Sequence, residues 1–69
     1  MTIEEYRIRL GWSTAELARK ANIDVNTLNR AINGQQVFKH TAGAIATALS
    51  QGLGYEITYH DLDGINVKE

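Results

Sequence analysis

The sequence predicts an all-α protein, a compact bundle of four to five short helices that forms a single domain over residues 1–69. Three observations support this fold class. Ser or Thr followed three residues later by Glu opens successive segments, and this is the capping box of a helix N-terminus. Within each segment, apolar residues recur at i, i+3 and i+4 spacing, so that they share one side of a helix. Gly or Asn, the residues that favour a left-handed C-cap, follows the segments.

The composition is that of an ordinary globular chain, with 43% hydrophobic and 22% charged residues. The absence of cysteine excludes disulfides and thiolate metal sites, and it fits a reducing compartment. No apolar run approaches the roughly 20 residues of a membrane span, and no signal-peptide pattern opens the chain. We therefore expect a cytoplasmic protein that makes no membrane contact.

The charge is distributed unevenly. The net charge of −1 argues by itself against a nucleic-acid partner. However, residues 7–40 hold six Lys or Arg against two acidic residues, whereas residues 41–69 hold one against four. This asymmetry indicates an anionic partner for the first half of the chain. The acidic second half fits a protein partner.

The first two helices are marked by their caps. Thr2 and Glu5 open a helix over residues 2–10, and its predicted core stripe consists of Ile3, Tyr6 and Leu10. Ser13 opens a second helix, Thr14–Ala21, with Glu16 at its third position. Asn22 follows, and Asn is the non-glycine residue that best tolerates a left-handed turn.

The third helix is predicted over residues 25–33, with Asp24 as N-cap and Gly34 as the left-handed C-cap residue. Its apolar side consists of Leu28, Ala31 and Ile32. Its opposite side consists of Asn26, Asn29, Arg30 and Asn33, which we call the polar row. Two short helices joined by a three-residue turn form a helix-turn-helix.

The polar row is unusual for a surface helix. Asn is less favourable than Ala in a helix by up to about 0.7 kcal/mol per residue. In the DNA major groove, however, Asn pairs with adenine and Arg with guanine through two hydrogen bonds each. From this helix alone, a solvated face and a face that reads DNA are equally good interpretations.

Residues 13–34, STAELARKANIDVNTLNRAING, resemble the Cro/phage-repressor (XRE) family of helix-turn-helix regulators. The shared pattern is Glu16-Leu17-Ala18, the turn, inward Ile23 and Leu28, and the closing Asn33-Gly34. The resemblance implies a lambda-repressor-like fold with the helix-turn-helix at 13–34. It also implies binding to double-stranded DNA through the major groove, as a homodimer on a palindromic operator.

Two positions depart from the family pattern. The family often has Gln where Thr14 opens the second helix, and there the Gln contacts a phosphate and braces a base-reading side chain. The family usually has Gly at the turn, where this chain has Asn22.

The resemblance also implies site residues. The positions expected to contact bases are Val25, Asn26, Thr27, Asn29 and Arg30. The positions expected to contact phosphates are Arg7, Thr14, Asn33 and Lys39, the last on a loop after the third helix. No cofactor or metal is expected, because His40 and His60 have no second ligand at metal-binding spacing.

The remainder of the chain is expected to complete the bundle. Gln35–Lys39 reads as a loop in which Val37 and Phe38 close the core, although Phe38 also fits a dimer seam. A fourth helix is predicted around Thr41–Ser50, ended by Gly52-Leu53-Gly54. The tail reads as an extended lead-in followed by a helical turn near Tyr59–Asp63. After it, the residues expected either to finish the core or to form the dimer surface are Leu62, Ile65 and Val67.

The sequence therefore predicts a DNA-binding transcription regulator, acting as a repressor, and not an enzyme. The alternative from another class is a protein-interaction module of the same fold, antitoxin-like or an anti-regulator, with weak or no DNA binding. Salt-dependent affinity for DNA separates the two.

Overall fold

The computed structural model describes residues 1–68 and contains four α-helices, one 3-10 helix and two short strands. The α-helices are α1 (Ile3–Leu10), α2 (Thr14–Ala21), α3 (Val25–Ile32) and α4 (Lys39–Leu53). The strands are β1 (Gln36–Phe38) and β2 (Asn66–Lys68), and the 3-10 helix spans Tyr59–Asp61. The helical bundle is therefore confirmed, but the fold is not purely α-helical.

The helix starts follow the predicted caps. The Thr2 hydroxyl accepts from the Glu5 amide at 3.1 Å, and the Glu5 carboxylate accepts from the Thr2 amide at 2.8 Å. The Ser13 hydroxyl accepts from the Glu16 amide at 3.0 Å, which is one half of the predicted box. Because such bonds satisfy backbone donors that have no partner within the helix, they begin each helix at the residue after the cap.

The core lies between α4 and the first three helices. Its fully buried large side chains come from three helices, and these are Leu17, Leu28, Ile45 and Leu49. Helix α4 contacts α1, α2, both strands and the 3-10 helix. The alanines on its inner side (Ala42, Ala46 and Ala48) are buried, and small side chains of this kind let neighbouring elements approach closely.

The small sheet corrects the prediction for Gln35–Lys39. Instead of a loop, residues 36–38 form β1, which pairs in parallel with β2 so that Val37 lies opposite Val67. Val37 is buried as expected, whereas Phe38 is 59% exposed and does not close the core. Lys39 is the first residue of α4, not a loop residue. Its neighbour Phe38 is extended, so the chain passes from strand to helix without a connecting loop.

Helix α4 is longer than the predicted span of 41–50 at both ends, since it begins at Lys39 and continues through Gly52 to Leu53. It ends at Gly54, where φ is 82°. A Cβ on Gly52 would lie 2.5 Å from Cη2 of Trp12. The indole therefore occupies the space beside this glycine, and Trp12 is a packing residue. None of the helices described in residues 1–68 has both the length and the apolar character needed to cross a membrane.

The tail agrees with the predicted lead-in and turn. Thr58 and Asp61 form a reciprocal capping box around the 3-10 helix. Leu62 is buried, and Ile65 and Val67 are half-buried against the core. The Met1 amino group forms an ion pair with Asp63 at 3.1 Å, which ties the start of the chain to the tail.

Candidate nucleic-acid interface

The turn between α2 and α3 has the predicted conformation. Asn22 adopts a left-handed backbone with φ 58° and ψ 42°. The Ile23 amide donates to the Ala18 carbonyl at 3.0 Å, which closes the end of α2. Ala18 is buried, and its small side chain suits the close crossing of the two helices. The turn therefore holds α3 in a defined orientation against α2.

Helix α3 is capped at both ends. The Asp24 carboxylate accepts from the Thr27 amide at 2.7 Å, and this bond holds the pKa of Asp24 below its usual range. The helix ends at Ile32, one residue before the predicted boundary. Gly34 is left-handed with φ 82°, and its amide donates to the Ala31 carbonyl at 3.2 Å. Asp24 is therefore confirmed as the N-cap, whereas the C-cap is Asn33, with φ −81°, and Gly34 forms the predicted left-handed turn one residue later.

The two sides of α3 separate as predicted. Leu28 and Ala31 are buried, at 0% and 1% exposure. All four members of the polar row are exposed, so nothing within residues 1–68 covers it. Of the other expected base-contacting residues, Val25 is 39% exposed and Thr27 is half-buried. The structure therefore brings the five expected base-contacting residues together on one short helix.

Arg30 is supported by a residue beyond the helix. Its Nε donates to Oε1 of Gln35 at 3.3 Å. Within the described residues its two terminal nitrogens donate to no protein acceptor, which leaves them available to an incoming ligand. The backbone places Gln35 there, since its amide donates to the Arg30 carbonyl at 2.9 Å.

Three of the four expected phosphate-contacting residues lie at helix ends. Thr14 is the first residue of α2, Lys39 is the first residue of α4, and Asn33 is the C-cap of α3. Asn33 and Lys39 are exposed, whereas Thr14 is half-buried. Helix N-termini carry backbone N–H groups without helical partners, which suits contact with an anion.

Arg7 is the fourth, and it is engaged within the protein. Its Nε donates to Glu4 at 2.6 Å and its Nη1 donates to the Trp12 carbonyl at 2.8 Å. Only 18% of its side chain is exposed. The Arg7 hydrogen bond holds the pKa of Glu4 below its usual range. Arg7 therefore links α1 to the turn that follows it.

Sequence reasoning missed a group of residues beside α3. A groove of about 350 Å³ lies between this helix and the sheet. Thr27 and Arg30 line it on the helix side, and Gln36, Phe38 and Lys68 line it on the sheet side. No signal in the sequence pointed to these residues, because the parallel pairing joins two short segments from distant parts of the chain.

The residues that bind metals in proteins are dispersed. No three His, Asp or Glu side chains among residues 1–68 lie close enough together to hold a metal ion. His40 stacks on the ring of Phe38, with 5.6 Å between ring centroids.

Comparison with known proteins agrees with this geometry. A family model described as Helix-turn-helix matches residues 3–60, which include all four α-helices and β1. Comparisons with curated proteins and with solved structures gave no match. The matched family is the XRE/Cro-like group of DNA-binding regulatory domains. On its sequence match and on the arrangement of α2 and α3, the chain belongs to the XRE/Cro-like helix-turn-helix family.

Proposed function

We propose that this protein is a sequence-specific regulator that inserts α3 into the major groove of double-stranded DNA. As a repressor, it would block transcription by occupying an operator. The observation that carries the proposal is the exposed polar row on a helix that Asp24 caps and that Leu28 and Ala31 hold in the core. Since Asn costs helix stability at an exposed position, its repeated use there needs a reason other than folding.

The side chains in α3 suit different bases. Asn26 and Asn29 carry amides that can donate to N7 of adenine and accept from its N6 amino group. The terminal nitrogens of Arg30 suit the O6 and N7 atoms of guanine. Val25 and Thr27, near the start of the helix, suit apolar or hydroxyl contact with a thymine methyl group or a base edge.

The phosphate contacts would fix the orientation of α3. We assign them to Thr14, Asn33 and Lys39, together with the free backbone N–H groups at the start of α2. Arg7 would make a further phosphate contact if its guanidinium reaches DNA while it remains bonded to Glu4. These contacts supply affinity that depends on salt and not on sequence.

We further propose that the protein binds as a homodimer on a palindromic operator. Helix α3 has eight residues and is therefore about 12 Å long, so one copy reads only a few base pairs. A second copy, related by twofold symmetry, doubles the sequence that is read.

Binding measurements on two duplexes test the proposal. One duplex has random sequence, and the other is enriched for binding from a random pool. For the wild-type protein, log affinity should fall linearly with log salt on both, by about 0.9 per phosphate neutralised. Arg30→Ala should cost about 1–3 kcal/mol on the enriched duplex and remove its preference for one guanine.

The matched control is Arg9→Ala, which removes the same charge from an exposed position in α1. It should retain the guanine preference. Equal losses for both variants on every duplex would contradict the assignment of Arg30 to a base.

Contact with a protein partner is the second candidate. It is favoured by a groove of about 590 Å³ between α4 and the segment that follows it. Tyr55 and Glu56 line this groove, and both are exposed. The groove shares no lining residue with the polar row. Absence of DNA affinity at low salt would leave this second function in place of the first.

A further inference from the structure

We propose that the outer face of the small sheet is a second DNA-contacting surface, on which Lys68 binds the phosphate backbone beside the groove that α3 enters. This inference rests on the proposed function. It assigns a role in DNA binding to the C-terminal strand, which lies outside the segment that matches the family.

The pairing of the strands creates this surface. In the parallel register, Gln36 lies opposite Asn66 and Phe38 lies opposite Lys68. These four residues are exposed, whereas Val37 between them is buried and Val67 is half-buried. Since side chains alternate along a strand, the four exposed residues share the outer face. We call Gln36, Phe38, Asn66 and Lys68 the sheet face.

The sheet face continues the DNA-reading side of α3. The groove of about 350 Å³ is lined by Arg30 and Thr27 on one wall and by three members of the sheet face on the other. Arg30 therefore belongs both to the polar row and to the wall of this groove. A helix in the major groove, which is about 12 Å wide, has a phosphate backbone on each side of it. We therefore expect an element that flanks the helix, as the sheet face does, to meet one of those backbones.

The charge of this region fits phosphate. Lys68 is the only Lys or Arg in residues 41–69, and its Nζ lies 5.6 Å from the centroid of the Phe38 ring. The ring attracts the ammonium group and so favours its position on the sheet face. Lys39 follows Phe38 directly and is also exposed. None of the residues that line the groove is acidic.

The same chemistry argues against a second copy of the chain as the occupant. Lysine is depleted at protein–protein interfaces, because a compact, strongly hydrated ammonium is costly to bury. Two copies meeting through this face by twofold symmetry would also bring two Lys68 side chains toward each other. A polyanion such as DNA would avoid both the burial of an unpaired ammonium and the approach of two Lys68 side chains.

Titrations with random-sequence duplex DNA at several salt concentrations test the inference. The variant Lys68→Gln removes the charge and keeps most of the side-chain stem over Phe38. The slope of log affinity against log salt should become less steep by about 0.9, and binding at 0.1 M salt should weaken roughly five- to tenfold. The loss should be the same on an enriched duplex. Lys68→Arg should retain wild-type binding, and Lys68→Glu should bind more weakly than Lys68→Gln.

Lys20→Gln is the matched control. Lys20 is exposed, its Nζ lies 5.0 Å from the centroid of the Trp12 ring, and it borders a different groove, beside Gly52. This variant should keep the wild-type slope. A thermal melt of each variant establishes that it is folded before its binding is compared.

Three outcomes would overturn the inference. A wild-type slope for Lys68→Gln, while Arg30→Ala still loses its guanine preference, would refute the sheet contact and leave the proposed function intact. A shift in the monomer–dimer equilibrium with an unchanged slope would identify the sheet face as a protein interface. Absence of salt-dependent binding by the wild-type protein would refute both proposals.

Discussion

Arg7 shows how contacts within the protein can engage a residue whose family position suggests a contact with DNA. Its family position pointed to a phosphate contact, but in this chain Glu4 lies one turn earlier and accepts two of its hydrogen bonds, at 2.6 and 3.0 Å. The Trp12 carbonyl accepts a third. The resulting network joins both ends of α1. The ion pair between Glu4 and Arg7 requires a charged Glu4. We therefore expect the stability that this pair provides to depend on pH.

We predict that the Glu4–Arg7 pair contributes to stability at neutral pH and that acid removes this contribution. Because the pKa of Glu4 is lower in the folded protein than in the unfolded chain, the contribution is complete above the unfolded pKa of about 4.3. It disappears as the pH falls through the folded pKa. Chemical denaturation at a series of pH values should show a smaller loss of unfolding free energy on acidification for Glu4→Gln than for the wild-type protein.

Arg7→Gln breaks the same pair from the other side and should flatten the profile in the same way. Parallel profiles for the wild-type protein and both variants would show that the pair does not contribute.

At the scale of the elements, α3 combines a stabilising frame with a destabilising surface. Asp24 caps its start and Gly34 allows the turn after its end, while Leu28 anchors it in the core. The polar row adds little to this frame: Arg30 donates to Gln35 and Asn33 is the C-cap, but the side chains of Asn26 and Asn29 make no hydrogen bond within the described residues. Its residues are therefore expected to trade stability for binding.

We predict that Asn29→Ala stabilises the protein and weakens its binding to DNA. Asn29 is exposed in the middle of α3, so alanine should raise the unfolding free energy by up to about 0.7 kcal/mol. For a domain of this size, that is a rise in Tm of roughly 3–5 °C. Thermal melts and binding to an enriched duplex provide the two measurements.

The control is Thr47→Ala, at an exposed position within α4. It should also raise the Tm but leave DNA affinity unchanged. Wild-type affinity for Asn29→Ala would show that this amide makes no useful contact with DNA.

The two interior glycines of α4 form a second matched pair. A Cβ on Gly43 would meet nothing within 4 Å, whereas a Cβ on Gly52 would meet the Trp12 ring at 2.5 Å and Leu10 at 3.0 Å. Gly43→Ala should therefore stabilise the protein by about 0.5–1 kcal/mol. Gly52→Ala should lower the Tm, because overpacking of this kind costs about 1–3 kcal/mol. Calorimetry of both variants measures the difference, and equal shifts in Tm would rule out the packed indole.

At the scale of the whole molecule, local signals predicted the helices and missed the sheet. Thr2, Ser13 and Asp24 act on backbone groups three residues away, so their effect can be read from the sequence. Likewise, the left-handed turn at Asn22 depends only on the ability of that residue to adopt a positive φ. The pairing of residues 36–38 with residues 66–68 depends on how α4 returns the tail to the bundle, which no local pattern contains.

The same limit applies to the candidate interface. The polar row was evident from the spacing of Asn26, Asn29 and Asn33, since one helix defines a face by itself. The support of Arg30 by Gln35 and the approach of Lys68 depend on the path of the chain after the helix ends. The α3 face was therefore predictable, and the residues that flank it were not.

We expect above all that the polar row of α3 contacts nucleobases. Selection of bound duplexes from a random pool tests it most directly, when it is carried out in parallel with the wild-type protein and with Arg30→Ala. We predict an enriched motif with an inverted repeat for the wild-type protein, and the loss of preference at one guanine in each half-site for the variant. Enrichment of no motif, or of the same motif by both proteins, would contradict the claim.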